Sequence, residues 1–237
     1  MKVKRTGRTR RVSRVAAAVC VALLASSCSG NNDPGVAADV DGHQITDDQV
    51  DGFAEVLCEL GGLPGATDSG TPTRNARSRA LELLINNEIA FEIGKGLEVD
   101  QAKVDAAVQQ NAAARDAVPS DLQGTFDAFV DDFARAQMTV LAAGRKSLED
   151  AGQSVDKISD DKAYAEGQRL RLAYADKADI TVDPRFGSLV DGVMKPGSGS
   201  LSVPQSQEAK DDAEATPPAT VVAQLPAPLK CGAGATG

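Results

Sequence analysis

Val36-Ala37-Ala38-Asp39-Val40-Asp41-Gly42-His43-Gln44-Ile45-Thr46 is the stretch on which the fold turns. Val36 to Val40 reads as a short strand. Asp41-Gly42 is a strong hairpin signal, because both central positions of a type I′ turn need φ > 0. Gln44 and Ile45 supply the return strand. Thr46 is a good helix N-cap, and Asp47 and Asp48 follow in the first turn, where the helix dipole favours negative charge. Val50, Phe53, Val56 and Leu57 give that helix an apolar face.

Outward from this stretch the chain is helical. The first helix ends near Leu60, because Gly61-Gly62 and Pro64-Gly65 break it, and Gly61 to Pro72 is a loop. A second helix runs from about Thr73 to Gly94, with Ala80, Leu81, Leu84, Ile85, Ile89 and Ile93 on a broad apolar face. Val99-Asp100 opens a third, with Val104, Ala107, Val108 and Ala112 at helical spacing, which stops before Pro119. Ser120 caps the fourth, which carries Leu122, Phe126, Phe129, Phe133, Ala136, Val140 and Leu148 on one face up to about Asp150. At 1.5 Å per residue it spans about 45 Å. A fifth runs from about Ser159 to Ala178. Asp179 to Val182 is a second short strand, and Pro184 stops it. The expected fold is mainly α: about five helices with a small two- or three-stranded sheet. Val36–Val40 pairs with Asp179–Val182 in that sheet and joins the N- and C-terminal ends.

Before this domain lies a leader. Lys2, Lys4, Arg5, Arg8, Arg10, Arg11 and Arg14 form a basic region without an acid, and Val15 to Ala25 is apolar. A helix of that length rises roughly 16 Å, about half of what a bilayer core requires. The pattern is that of a signal peptide. Ser26-Ser27-Cys28 follows at once and resembles the lipobox of bacterial lipoprotein precursors, in which the cysteine receives a lipid and the chain is cut just before it. Ala25 stands where the usual lipobox has Leu, and Leu24 lies one step further off. The alternative is ordinary secretion with Cys28 a plain thiol. Arg10-Arg11 leaves the export route open between the general and the twin-arginine pathways. The expected organisation is a signal peptide over 1–27, a tether over 28–35, a helical domain over 36–187 and a low-complexity, largely disordered tail over 188–237.

Charge and cysteine content narrow the partners. The leader holds 7 of the 25 basic residues and none of the 34 acids, so the rest carries 18 against 34, a net −16. Such a surface repels nucleic acid and anionic lipid headgroups, which excludes nucleic-acid partners. Aromatic residues are only 3% and there is no Trp, which favours helices packed through small and aliphatic side chains. Cys20 goes with the leader and Cys28 with the lipid. Cys58 and Cys231 remain as an even pair in an oxidising compartment and are expected to form a disulfide. Two free or intermolecular thiols are the alternative.

The chain has no visible catalytic constellation. One histidine, His43, excludes a His-rich metal site and argues against a Ser/Cys–His pair, and its place beside the hairpin turn suits an exposed polar residue. No phosphate loop of the required spacing occurs. Asp47-Asp48, Asp131-Asp132, Asp160-Asp161 and Asp211-Asp212 are adjacent pairs, which do not share a helix face, and read as solvated charge. Asp183-Pro184-Arg185-Phe186-Gly187 reads as a turn with Arg185 anchored to a nearby acid. No catalytic residue, cofactor, metal or small-molecule substrate is expected.

Three segments, in order, resemble one family. Val36 to Thr46, followed by Asp48 and Val50, resembles the opening of SurA-type extracytoplasmic chaperones: strand, Asn/Asp-Gly turn, Ile-Thr, helix. Leu81, Leu84-Ile85, Glu88-Ile89, Gly96-Leu97-Glu98-Val99, Val104 and Val108 are similar to that domain's second and third helices. Ile180-Thr181-Val182-Asp183-Pro184-Arg185-Phe186-Gly187 resembles its closing strand and turn. The likeness covers about Val36 to Gly187, and the SurA N-terminal-like lipoproteins of actinobacteria are the group it most resembles. Such proteins often carry an inserted parvulin-type prolyl isomerase domain. Here Asp150 to Asp179 holds one helix, and a single histidine is present. The resemblance therefore implies the chaperone fold without the isomerase.

The expectation is a lipid-anchored extracytoplasmic protein of the cell membrane that binds unfolded or exported polypeptides. Phe126, Phe129 and Phe133 are the candidate client-binding residues, with the core as their ordinary alternative. A scaffold for one envelope protein is the second reading, and a residual prolyl isomerase the third.

Overall fold

β1 (Val36–Val40) lies at the centre of a three-stranded antiparallel sheet, between β2 (His43–Thr46) and β4 (Ile180–Val182). The structure is a computed structural model that describes residues 34–61, 63, 70–190, 192–197, 206, 210 and 218–231. Cys28, the leader and most of the tether lie outside the described residues. The hairpin turn takes the geometry its sequence demands, with φ of 51° at Asp41 and 90° at Gly42. Gly42 N–H donates to Asp39 Oδ1 at 2.7 Å. On the other edge Ala38 faces Val182 and Val40 faces Ile180. Asp41 fastens this closure: its carboxylate accepts from Asp179 N–H at 2.9 Å and from Tyr174 Oη–H at 2.6 Å. The Tyr174 bond holds the Asp41 carboxyl below its usual range, and pushes the phenol up to about 12.

α1 (Asp47–Leu60) starts from a full capping box: Thr46 Oγ1 accepts from Gln49 N–H, and Gln49 Oε1 accepts from Thr46 N–H. Val50, Phe53, Ala54 and Val56 are buried against α2 (Thr73–Ile93), whose Ala76, Ala80, Leu81, Ile85 and Ile89 face them. Phe126 and Val130 of α5 (Gln123–Asp150) complete that layer. α6 (Asp160–Ala175) then packs on the far half of α5. The two approach so closely that a Cβ on Gly144 would overlap the Ala163 carbonyl, and one on Gly167 the Val140 carbonyl.

The Asp183–Gly187 turn clamps the sheet to α1. Arg185 donates through Nε to Asp183 Oδ2 at 2.9 Å and through Nη2 to Asp47 Oδ2 at 3.0 Å. Asp183 is 9% exposed, so removing its partner strands a buried charge. Arg185→Ala is expected to cost about 2 kcal/mol in a denaturant melt. The Arg185 bond also holds Asp183 below its usual value; Lys103 does the same for Asp160, and Arg169 lowers Glu166 to about 2. A carboxylate lowered by folding contributes stability above its unfolded value and loses it as the pH falls through the folded one. Burial pushes Glu88 and Asp132 the other way, so their protonation favours the fold. The expected net result is a melting temperature that falls as the pH drops from 3.8 toward 2. The exposed pairs make that fall shallow and salt-sensitive.

Several boundaries differ from the sequence reading, three of them by the most. The third helix is split at Asn111 into α3 (Gln101–Gln110) and α4 (Ala112–Ala117), because the Asn111 side chain bonds back to the Ala107 carbonyl at 2.9 Å and competes with the ladder. Ser120 does not cap α5. Pro119 to Leu122 is a turn, closed by Leu122 N–H to the Pro119 carbonyl at 2.9 Å, and Leu122 occupies the N-cap. The tail assigned to 188–237 needs the largest correction. β5 (Gly187–Val190) and β6 (Val193–Pro196) pair as a hairpin, with Leu189 opposite Met194 on the inner face. Met194 is buried, and its N–H donates to Glu82 of α2 at 3.0 Å. The folded domain thus extends through Pro196.

The chain also returns later. A short helix (Ala219–Gln224), a 3-10 turn (Ala227–Leu229) and β7 (Lys230–Cys231) form a strap, and β7 pairs with β3 (Thr71–Pro72). Val222 is 1% exposed. Cys58 and Cys231 stand at disulfide distance, with Cα atoms 5.0 Å apart across 173 residues of sequence. A cross-link over that span limits the unfolded chain by about 5 kcal/mol in the chain-entropy model.

Candidate functional site

The Phe stripe of α5 runs from the core to the surface. Phe126 is 4% exposed and packs within the core, so it offers nothing to a client. Phe129 is half-buried and stacks on Phe53 of α1 with ring centroids 3.4 Å apart. Phe133 stacks on Phe129 at 5.7 Å and is half-buried too. Its side chain reaches a trough of about 140 Å³ between α2, α5 and α6.

Three helical stripes build this trough. Leu83, Asn86, Asn87 and Ala90 come from α2, Phe133, Ala136, Gln137 and Val140 from α5, and Tyr164, Gln168 and Arg171 from α6. Each set repeats every three or four residues, so each presents one face to a shared line. Phe133, Leu83, Ala90, Ala136 and Val140 make the apolar part. Amides, a phenol and one guanidinium make the polar part.

Two polar groups decide what the trough can do. Arg171 is fixed, donating through Nη1 to Asn86 Oδ1 and through Nε to Gln168 Oε1 at 2.9 Å, and burial lowers its pKa. Asn87 is different. It is 5% exposed, yet its Nδ2 has no hydrogen-bond partner among the described residues. Nearly all buried polar groups are paired, and an unpaired one costs about 1–3 kcal/mol. The Asn87 Nδ2 atom is shut off from solvent, so it suits a ligand that parts the side chains over it and brings an acceptor and an apolar group together. A peptide unit with an aliphatic side chain does so.

The surface continues the same line. Tyr164, Gln168 and Leu172 lie at four-residue intervals along α6, and Leu172 is 50% exposed. The hairpin tip lies next to it, with Val190 and Val193 both exposed. From Tyr164 to Leu172 is about 12 Å of helix, the length of roughly four residues of extended chain.

The remaining candidates have ordinary surroundings. His43 Nε2 lies 3.2 Å from Glu92 Oε1, at the surface. Arg185 is anchored to Asp183 and Asp47 as described. A second cleft, of about 610 Å³, opens beside Cys58 and Cys231. Among the described residues no group of three or more His, Cys, Asp or Glu is placed to hold a metal, and no helix is long and apolar enough to cross a membrane. Sequence reasoning found Phe133 but missed Asn87, Tyr164, Gln168 and Arg171. Nothing in their local sequence marks them, because only the docking of three helices brings them together. Compared with family models, curated proteins and solved structures, the chain matches none.

Proposed function

We propose that this chain is a lipid-anchored extracytoplasmic protein that binds unfolded or partly folded polypeptide, without isomerising it, in the trough between α2, α5 and α6. The anchor would be a lipid on Cys28, and the client segment would lie along α6. The observation that carries the reading is the unpartnered Asn87 Nδ2 buried beneath a trough whose lining includes half-buried Phe133 and Leu83. A client segment that parts the lining would bring a carbonyl to Asn87, while its aliphatic side chain covers Phe133 and Leu83. Such contacts read backbone and apolarity, which every unfolded chain offers, so selectivity would be broad. Light scattering of an aggregating client tests this. Suppression is expected at near-stoichiometric ratios, and no effect at tenfold excess rejects it. A single dominant partner recovered in place of many clients would replace the chaperone by a scaffold.

A further inference from the structure

The cleft beside the disulfide is not part of the trough and has a chemistry of its own. Cys58 and Cys231 both line it, and Cys58 is the more exposed of the two. Its α1 wall carries Asp51, Glu55 and Glu59 at four-residue intervals, and Arg77 and Lys230 are the cations of its lining, Lys230 donating to the Ala223 carbonyl at 3.3 Å. Asp51 is paired with Arg77, whereas Glu55 and Glu59 have no ion-pair partner among the described residues. Among the described residues the strap that ends in Cys231 has few other ties. Its described pairing with β3 is two residues long, Thr73 Oγ1 donates to the Pro228 carbonyl at 3.4 Å, and besides Cys231 only Val222 is buried.

We propose that Cys58–Cys231 is a thiol-exchange site that latches the strap over residues 218–231, and that the reagent it selects is a dithiol without negative charge. The attacking thiolate enters through the cleft and bonds to Cys58 Sγ. The S–S bond breaks, and Cys231 leaves as a thiolate that takes a proton from water. The second thiol of the reagent then displaces Cys58. The reagent gives up two electrons and two protons and becomes a disulfide, and the protein gains two thiols. Reduction frees the strap, because its remaining contacts among the described residues are few. With Asp51 and Arg77 paired, Glu55 and Glu59 outweigh Lys230, so the lining repels an anionic thiolate carrier on approach and leaves a neutral one unaffected.

The test uses the oxidised full chain in native buffer at low salt. Dithiothreitol is expected to add two alkylatable thiols per chain, Cys58 and Cys231, to those that Cys20 and Cys28 show before reduction, at a rate first-order in reagent. Amide exchange in 218–231 should then rise at least tenfold, with α1 to α6 unchanged. Cys231→Ser should show the same exchange pattern without reductant. Glutathione is expected to react several-fold more slowly, relative to 2-mercaptoethanol, than it does with an unstructured disulfide peptide. Glu55→Gln with Glu59→Gln should close that gap. The proposal is overturned if reduction is independent of reagent concentration and tracks global unfolding. It is equally overturned if the exchange change spreads through the helices, or if the charge variants leave the glutathione rate where it was.

Discussion

Gly144→Ala is expected to destabilise the protein by about 3 kcal/mol, against the gain that helix propensity alone would give. Gly144 sits within α5, where Ala is intrinsically better than Gly by about 1 kcal/mol. A Cβ there would overlap backbone atoms of Ala163 and Gly167, and backbone cannot rotate aside as a side chain can. Relief requires α6 to move off α5 along its length, which opens contacts around Val140 and Ala163 as well. For a domain of this size each kcal/mol shifts the midpoint by about 2–4 °C, so a drop of roughly 6–12 °C is expected by calorimetry. Gly124→Ala in the same helix is the control. A Cβ on Gly124 would meet nothing within 4 Å, and that substitution should be neutral or stabilising.

Phe53→Ala should cost about 4 kcal/mol, and the aromatic ladder predicts a gradient from it. Phe53 is 2% exposed in the core and stacks on Phe129, so its loss leaves a cavity and an unstacked ring. Phe129→Ala should cost less, because Phe129 is half-buried. Phe133→Ala should cost least, about 1–2 kcal/mol, because part of its face already meets the trough. Client binding should run in the opposite order, with Phe133→Ala weakening it most. Denaturant melts and client titrations of the three variants check both orders. If Phe133→Ala destabilises as much as Phe53→Ala and leaves binding intact, Phe133 belongs to the core alone.

Most of the architecture was legible in the sequence, for identifiable reasons. Asp41-Gly42 has few conformational choices and Thr46 is a strong N-cap, so β1 and the start of α1 could be placed to the residue and β2 to within one residue at each end; the Gln49 half of the capping box went unread. The pairing of Val36–Val40 with the second strand, read as Asp179–Val182 and observed as Ile180–Val182, followed from two short apolar strands at the ends of a helical run. The hairpin over 187–196 was missed because its alternation is brief and sits among Gly, Ser and Pro, where composition suggests a solvated tail. What fixes it is tertiary: Met194 against the core and Glu82 of α2. The trough was half legible. Periodicity found the Phe stripe of α5, but the phase of one helix does not say which faces of two others meet it.

Asn87 is central as a buried donor kept unpaired for a client that parts the trough lining, and Asn87→Leu tests that most directly. Leu has nearly the same shape and removes a buried amide with an unsatisfied Nδ2. The melting temperature is expected to rise by roughly 2–8 °C, for a gain of about 1–2 kcal/mol. Client affinity is expected at the same time to fall about tenfold, the loss of about 1.4 kcal/mol. A variant that melts lower and binds its client as well as the parent would contradict that role of Asn87.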